Sequence, residues 1–135
     1  MGQLTPDHPV GLVGGLLLRG DQVLLGRRAA HKSFGGCWDL IGGHVEPGET
    51  PWVALARELI EEIGVAPQAG SRVATLPLED RGQVIALLHV FFVSAWNGEP
   101  AIANDEHCEL RWFTLNEARQ LPNLALADYV RLFKS

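Results

Sequence analysis

One helix in this chain has both of its ends written into the sequence. Thr50 is a strong N-cap residue, Pro51 stands at the first helical position, where a missing N–H does no harm, and Gly64 suits the left-handed residue that terminates a helix. Residues 51–63 are therefore predicted to be helical, and the rest must be arranged around them. Before the helix, Val10 to Leu18 is apolar and glycine-rich, which suits a buried strand. The turn Arg19-Gly20-Asp21 leads into Gln22 to Arg28 as its hairpin partner, and Trp38 to Ile41 is a short apolar stretch between glycine-bearing loops. After the helix, Arg72 to Leu78 and Gln83 to Ala95 read as two long strands around a turn, and Glu109 to Phe113 as a short strand. Thr114-Leu115-Asn116-Glu117 has the form of a capping box opening a helix through about Gln120, and an amphipathic helix is expected from about Leu124 to Phe133.

These elements make an α+β domain, with one mixed sheet covered by two or three helices. The chain has 135 residues, 47% of them hydrophobic, which suffices for one sizeable core, so residues 1–135 are read as a single domain. Acidic residues outnumber basic ones by 16 to 11, and the net charge of −5 argues against a nucleic-acid polymer as partner. No apolar run approaches the ~20 residues of a membrane-spanning helix. The first eight residues lack a basic and then apolar leader pattern, and Cys37 and Cys108 form no C-x-x-C pair. A cytoplasmic protein with reduced thiols is expected, as a monomer or homodimer.

The excess acid is concentrated on the central helix. At ~100° per residue, Trp52, Ala56, Leu59 and Ile63 fall within about 60° of one another, flanked by Leu55, Ile60 and Val53, and form the expected core face. Glu58, Glu61 and Glu62 occupy an arc of about 100° on the other side and are expected to share one exposed strip. Like charges at i,i+3 and i,i+4 repel, and the helix C-terminus adds to the cost for Glu61 and Glu62. Arg57 offsets part of this, and a divalent cation would offset the rest. Hard oxygen ligands in an incomplete protein shell suit Mg²⁺, with Mn²⁺ as a substitute. In the preceding loop, Gly42 and Gly43 permit close approach of the backbone to a ligand, and Glu49 can pair with Arg57.

Gly43, Glu49, Arg57-Glu58-Leu59, Glu61-Glu62, Gly64 and Val65 together match G-x5-E-x7-R-E-U-x-E-E-x-G-U at every position, U being a bulky aliphatic residue. This segment resembles the Nudix box, and the chain is similar to MutT-like Nudix hydrolases over most of its length. The resemblance implies a Nudix-type α/β/α sandwich with a loop–helix–loop catalytic motif. It further implies Mg²⁺- or Mn²⁺-dependent hydrolysis of the diphosphate bond in a nucleoside diphosphate derivative. By the same resemblance Glu58, Glu61 and Glu62 are the catalytic and metal-binding acids, Glu58 is the first choice for general base, held by Arg57, and the Gly43 carbonyl is a further ligand. The family often adds a carboxylate from a later loop, for which Glu106 is the match and Glu109 the alternative. Ile41-Gly42-Gly43 stands where many members have Pro-Gly-Gly.

For substrate contacts, Arg27, Arg28 and Lys32 precede the box and can face its phosphates, Phe34, Trp38 and strand 84–92 can wall a base, and Asn123 or Asp128 can contact it. His44 and His107 adjoin the site as polar neighbours. The proline and tyrosine that mark the family's ADP-ribose and dinucleoside-polyphosphate branches are out of place or missing. A nucleoside triphosphate giving the monophosphate and pyrophosphate is therefore the expected substrate, with oxidised dGTP as a candidate. An ADP-ribose or nucleotide-sugar pyrophosphatase and a non-catalytic Nudix ligand sensor are the alternatives. With no Walker A sequence after Gly15, a P-loop ATPase is not expected.

Overall fold

Alternation along β1 (Val10–Arg19) sets the layers of the molecule. Leu12, Leu16 and Leu18 join the core on one face of the sheet, and Val13 and Leu17 join the core on the other. The computed structural model describes residues 9–134; the first eight residues, in which no leader pattern was read, lie outside the described residues. The elements that follow are β2 (Gln22–Arg28), β3 (Trp38–Asp39), β4 (Ile41–His44), α1 (Pro51–Ile63), β5 (Ala66–Asp80), β6 (Gln83–Asn97), β7 (His107–Thr114), α2 (Leu115–Arg119) and a 3₁₀ helix at Ala127–Leu132.

β1 holds the sheet together. It runs parallel to β6, with Val13 opposite His89, and antiparallel to β4, with Val13 opposite Gly43. Its last residues pass the ladder on to β2, which pairs antiparallel with β3 and β7. β5 pairs with β6 alone and is the far edge of the mixed sheet. Leu55, Leu59 and Ile63 of α1 pack on Val13, Leu17, Ile41, Phe91 and Val93. On the opposite face, Leu115 and Ala118 of α2, with Tyr129 and Phe133 from the C-terminal segment, pack on Leu16, Val23, Leu25 and Val90. Helix, sheet and helix thus form the expected α/β/α order. Leu59 is 0% exposed, so Leu59→Ala should cost about 2–5 kcal/mol in chemical denaturation.

Both ends of α1 behave as the sequence implies. Val53 N–H donates to Thr50 Oγ1 at 3.3 Å, and Gly64 closes the helix at φ 71°, a left-handed conformation costly for other residues. The capping box is complete as well, with Glu117 N–H to Thr114 Oγ1 at 3.0 Å and Thr114 N–H to Glu117 Oε1 at 2.8 Å. Three segments differ from expectation. β5 begins at Ala66 rather than Arg72, because Pro67 and Gly70 hide a strand that an edge position and several register shifts make tolerable. The Trp38–Ile41 stretch, to which no strand was assigned, holds β3 and the first residue of β4, parted at Leu40, whose N–H turns to the Asp39 carboxylate at 2.8 Å. The C-terminal helix shortens to the 3₁₀ turns at Ala127–Leu132, because Trp38 forms a bridge with Leu124 and its carbonyl accepts the Ala125 N–H, holding the segment extended. Among the described residues no helix is long and apolar enough to cross a membrane.

Candidate active site

The box glutamates do not form one exposed strip. The buried arc of α1 runs through Ala54, Leu55, Leu59, Glu62 and Ile63, whereas Val53 and Ile60, expected beside the core, are exposed. Relative to the expected face the helix is turned by roughly 60°. Trp52 reaches sideways to Phe91, with ring centroids 5.4 Å apart, which leaves Leu55 and Leu59 at the centre of the contact. The turn gives the three acids three environments: the Glu61 side chain is 54% exposed, Glu58 14% and Glu62 3%.

Arg57 is the hub. Its guanidinium donates to both oxygens of Glu49, at 2.8 and 3.0 Å, to the His44 carbonyl at 2.9 Å, to Glu58 at 3.2 Å and to Glu61 at 3.4 Å. The forked contact with Glu49 is the strongest of these by geometry. It holds the Glu49 carboxyl down to about 2, helped by the Glu46 N–H, and raises the arginine in turn. The expected Glu49–Arg57 pair is therefore present, and it ties β4, the following loop and α1 together. Gly43 lies so close to Glu58 that a Cβ there would overlap the carboxylate.

Glu62 is the buried member. Burial raises its pKa far above the ordinary 4.5, and the hydrogen bond and charge of Glu58 and the charge of Glu106 add to the effect against the opposing pull of Arg28. His107 Nδ1 sits 3.5 Å from Glu62 Oε1. Burial, then the charge of Arg28, lowers the imidazole to about 4 despite Glu106. Both groups are driven to their neutral forms, so this contact is not an ion pair. Glu106 itself lies 3.8 Å from Arg28 and 3.5 Å from Lys32. Glu109, the alternative to Glu106, is committed to Arg111 at 2.6 Å and Arg27 at 3.8 Å.

Whether these residues fit a divalent cation can be judged from Glu62. A carboxyl with a buried, unpartnered Oε1, kept protonated by burial and then by the neighbouring carboxylates, is the group that a cation would ionise. The donors are hard oxygens, as Mg²⁺ and Mn²⁺ require. Among the described residues no three such side chains already converge as a complete ligand set. Arg57 and the Arg28–Lys32 pair hold Glu61 and Glu106 in other contacts.

Beside the acids opens a pocket of about 280 Å³, lined by Gly42, Gly43, Arg28 and Glu106 and also by Phe34, Leu78, Leu88, Leu126 and Tyr129. Phe34 is 61% exposed and holds a positive φ of 57°, an uncommon state for a bulky side chain. Hydrogen bonds from Lys32 N–H to the Ala29 carbonyl, Cys37 N–H to the Phe34 carbonyl and Gly36 N–H to the Arg28 carbonyl hold its loop. Asp39, whose pKa burial raises, accepts from the Tyr129 hydroxyl at 2.6 Å and pairs with Arg28 at 3.4 Å.

Arg28, Gly43 and Glu106 are thus brought to the pocket, and His44 lines it too. Lys32 reaches it through Glu106. Arg27 and Asn123 do not line it: Arg27 Nε and Asn123 Nδ2 both donate to the Gly36 carbonyl, at 3.2 and 3.0 Å, and buttress the Phe34 loop. Asp128 is exposed outside it, and Trp38 is core rather than wall, packed edge-on against Phe113. Sequence reasoning missed Asp39 and Tyr129, which are 90 residues apart and carry no local sign of their contact.

Residues 9–133 match the NUDIX domain family. The chain is 37% identical over 119 residues to the CTP pyrophosphohydrolase of Escherichia coli, covering 88% of this chain and 85% of that protein. It is 36% identical over 130 residues to the ADP-ribose pyrophosphatase of Methanocaldococcus jannaschii, covering 94% and 72%. The fold superposes on the crystal structure of a MutT NUDIX hydrolase from Burkholderia pseudomallei with a TM-score of 0.78 and 29% identity, covering 93% of this chain and 95% of that one. With Glu49, Glu58 and Glu61 gathered around Arg57 beside the pocket, the chain belongs to the Nudix family and is a MutT-like Nudix hydrolase.

Proposed function

We propose that the chain hydrolyses a nucleoside triphosphate to the monophosphate and pyrophosphate, with oxidised dGTP among the candidates. The observation that carries this reading is a single pocket of about 280 Å³ in which the Gly43 and Glu106 neighbourhood adjoins Phe34, Leu88 and Leu126. Phosphates and a base can therefore be held together. The volume lies just below the usual range of about 300–1,000 Å³ for ligand pockets, which suits one nucleoside rather than two. The similarity to the CTP pyrophosphohydrolase points the same way.

In this reading Glu58, Glu61, Glu62, Glu106 and the Gly43 carbonyl hold Mg²⁺ or Mn²⁺. The chemistry supplied by a divalent cation there is neutralisation of diphosphate charge and activation of water. Arg57 fixes Glu58, which takes the proton of the water that attacks phosphorus as the bridging P–O bond breaks. Arg28 and Lys32 exchange Glu106 for substrate phosphate oxygens, and Phe34 and Leu126 wall the base.

The similarity to the ADP-ribose pyrophosphatase supports a second reading, with a sugar phosphate in place of pyrophosphate. A Mg²⁺-dependent screen separates the two, using unmodified and oxidised nucleoside triphosphates, ADP-ribose and dinucleoside polyphosphates with chromatography of the products. Monophosphate plus pyrophosphate is the expected outcome. Preference for ADP-ribose, giving AMP and ribose 5-phosphate, would replace the first reading with the second.

A further inference from the structure

Among the described residues, three buried side-chain polar atoms lack a hydrogen-bond partner: Glu62 Oε1 and both ring nitrogens of His107. Two of them face each other, His107 Nδ1 lying 3.5 Å from Glu62 Oε1, with both side chains 3% exposed. Unpaired groups at this depth call for an explanation.

Two separate features of the backbone put the imidazole there. In the β2–β7 ladder Arg27 pairs with Glu109 and Arg28 with His107, so Cys108 is left out as a bulge. Strand side chains alternate, and Leu110 and Trp112 point to the α1 face. Without the extra residue Cys108 would be next on that face. The bulge turns Cys108 to solvent and His107 inward. The second feature is Gly26 of β2, where a Cβ would overlap the imidazole ring. A glycine inside a strand weakens it, so room for the ring is kept at the strand's expense.

We propose that His107 is a positioning residue, its Nδ1–H donating to Oε1 of Glu62 so that the second oxygen of that carboxyl is aimed at the other box acids and the cation they hold. The inference rests on the reading of Glu62 as a cation ligand. The present separation exceeds a usual N–H···O distance by about half an ångström, which a small rotation of the Glu62 side chain closes.

The test compares His107→Leu, which keeps the bulk and removes the donor, with His107→Asn, which retains an N–H donor close to the position of Nδ1. Mn²⁺ alone is titrated into each whole protein and its binding followed by electron paramagnetic resonance, with thermal melts to show that each variant is folded. His107→Leu should bind Mn²⁺ about tenfold to a hundredfold more weakly than the wild type, while His107→Asn stays within about threefold. Should the leucine variant fail to fold, His107→Ala, which fits in the same space, makes the same comparison. Wild-type affinity in the donorless variant would overturn the proposal, as would an asparagine variant that falls as far as the leucine one, since packing alone would then be at stake. A wild-type chain that does not bind Mn²⁺ overturns the cation site and this inference with it, whereas intact wild-type binding with an unaffected His107→Leu removes the inference alone.

Discussion

Glu62→Gln should lower kcat by on the order of a thousandfold, and the metal-free variant should fold as well as the parent. In the proposed role Glu62 is a charged cation ligand, and the size follows from losing a share of transition-state stabilisation worth several kcal/mol, each 1.36 kcal/mol being tenfold in rate. Folding should be spared because burial, seconded by Glu58, already keeps the metal-free carboxyl protonated, and glutamine copies a neutral carboxyl in shape. The same shift sets a pH dependence. Its folded pKa lies above the ordinary 4.5, so the stabilisation from the protonated form is fully present below that pH and is lost as the pH rises through the neutral range. In chelator, the wild-type Tm should therefore fall relative to that of Glu62→Gln as pH increases from about 5 to 9. Parallel Tm profiles for the two proteins would refute the buried, protonated state. Near-normal kcat in the variant at saturating Mg²⁺ would remove Glu62 from the machinery.

Arg57→Lys should reduce kcat/KM by about a hundredfold, an effect of geometry, since the positive charge is kept. The guanidinium serves both Glu49 oxygens, the His44 carbonyl, Glu58 and Glu61 at once. An ammonium is a point donor and cannot span that set. Glu49 and the β4 end would then lose their tie to α1, and Glu58 its fixed orientation. A KM change with kcat intact would show that Arg57 acts on binding alone and would count against its role in placing the base. Circular dichroism of the variant separates this from unfolding.

What the sequence discloses best is structure that depends on neighbouring residues. Thr50, Pro51 and Gly64 delimit α1 because caps and a left-handed terminus are requirements of the local backbone. The Thr114–Glu117 box is legible for the same reason. The spacing of Glu58, Glu61 and Glu62 likewise shows that they lie on one side of a helix. Which side is buried is decided by the sheet beneath, and so Glu62 turned from a surface acid into a core one. Arg57 and Glu49 could be matched because only the first turns of α1 separate them, whereas Asp39 and Tyr129 meet only once the C-terminal segment has been drawn across Trp38. The 3₁₀ turns escaped notice because the apolar spacing of that segment is compatible with either helix type. The first half of β5 is exposed, and its pairing with β6 leaves no apolar period to read.

The position of β5 bears on how such an enzyme can change its diet. Gly42 and Gly43 are locked against β1, and Glu58, which Gly43 faces, is fixed by Arg57, so this end of the pocket tolerates little alteration. Leu78, which lines the same pocket, belongs to a strand hydrogen-bonded on one side only. Substitution of Leu78 alters the pocket wall without touching Gly43, Arg57 or the acids around them. A library seeking a new nucleotide preference would therefore begin at Leu78.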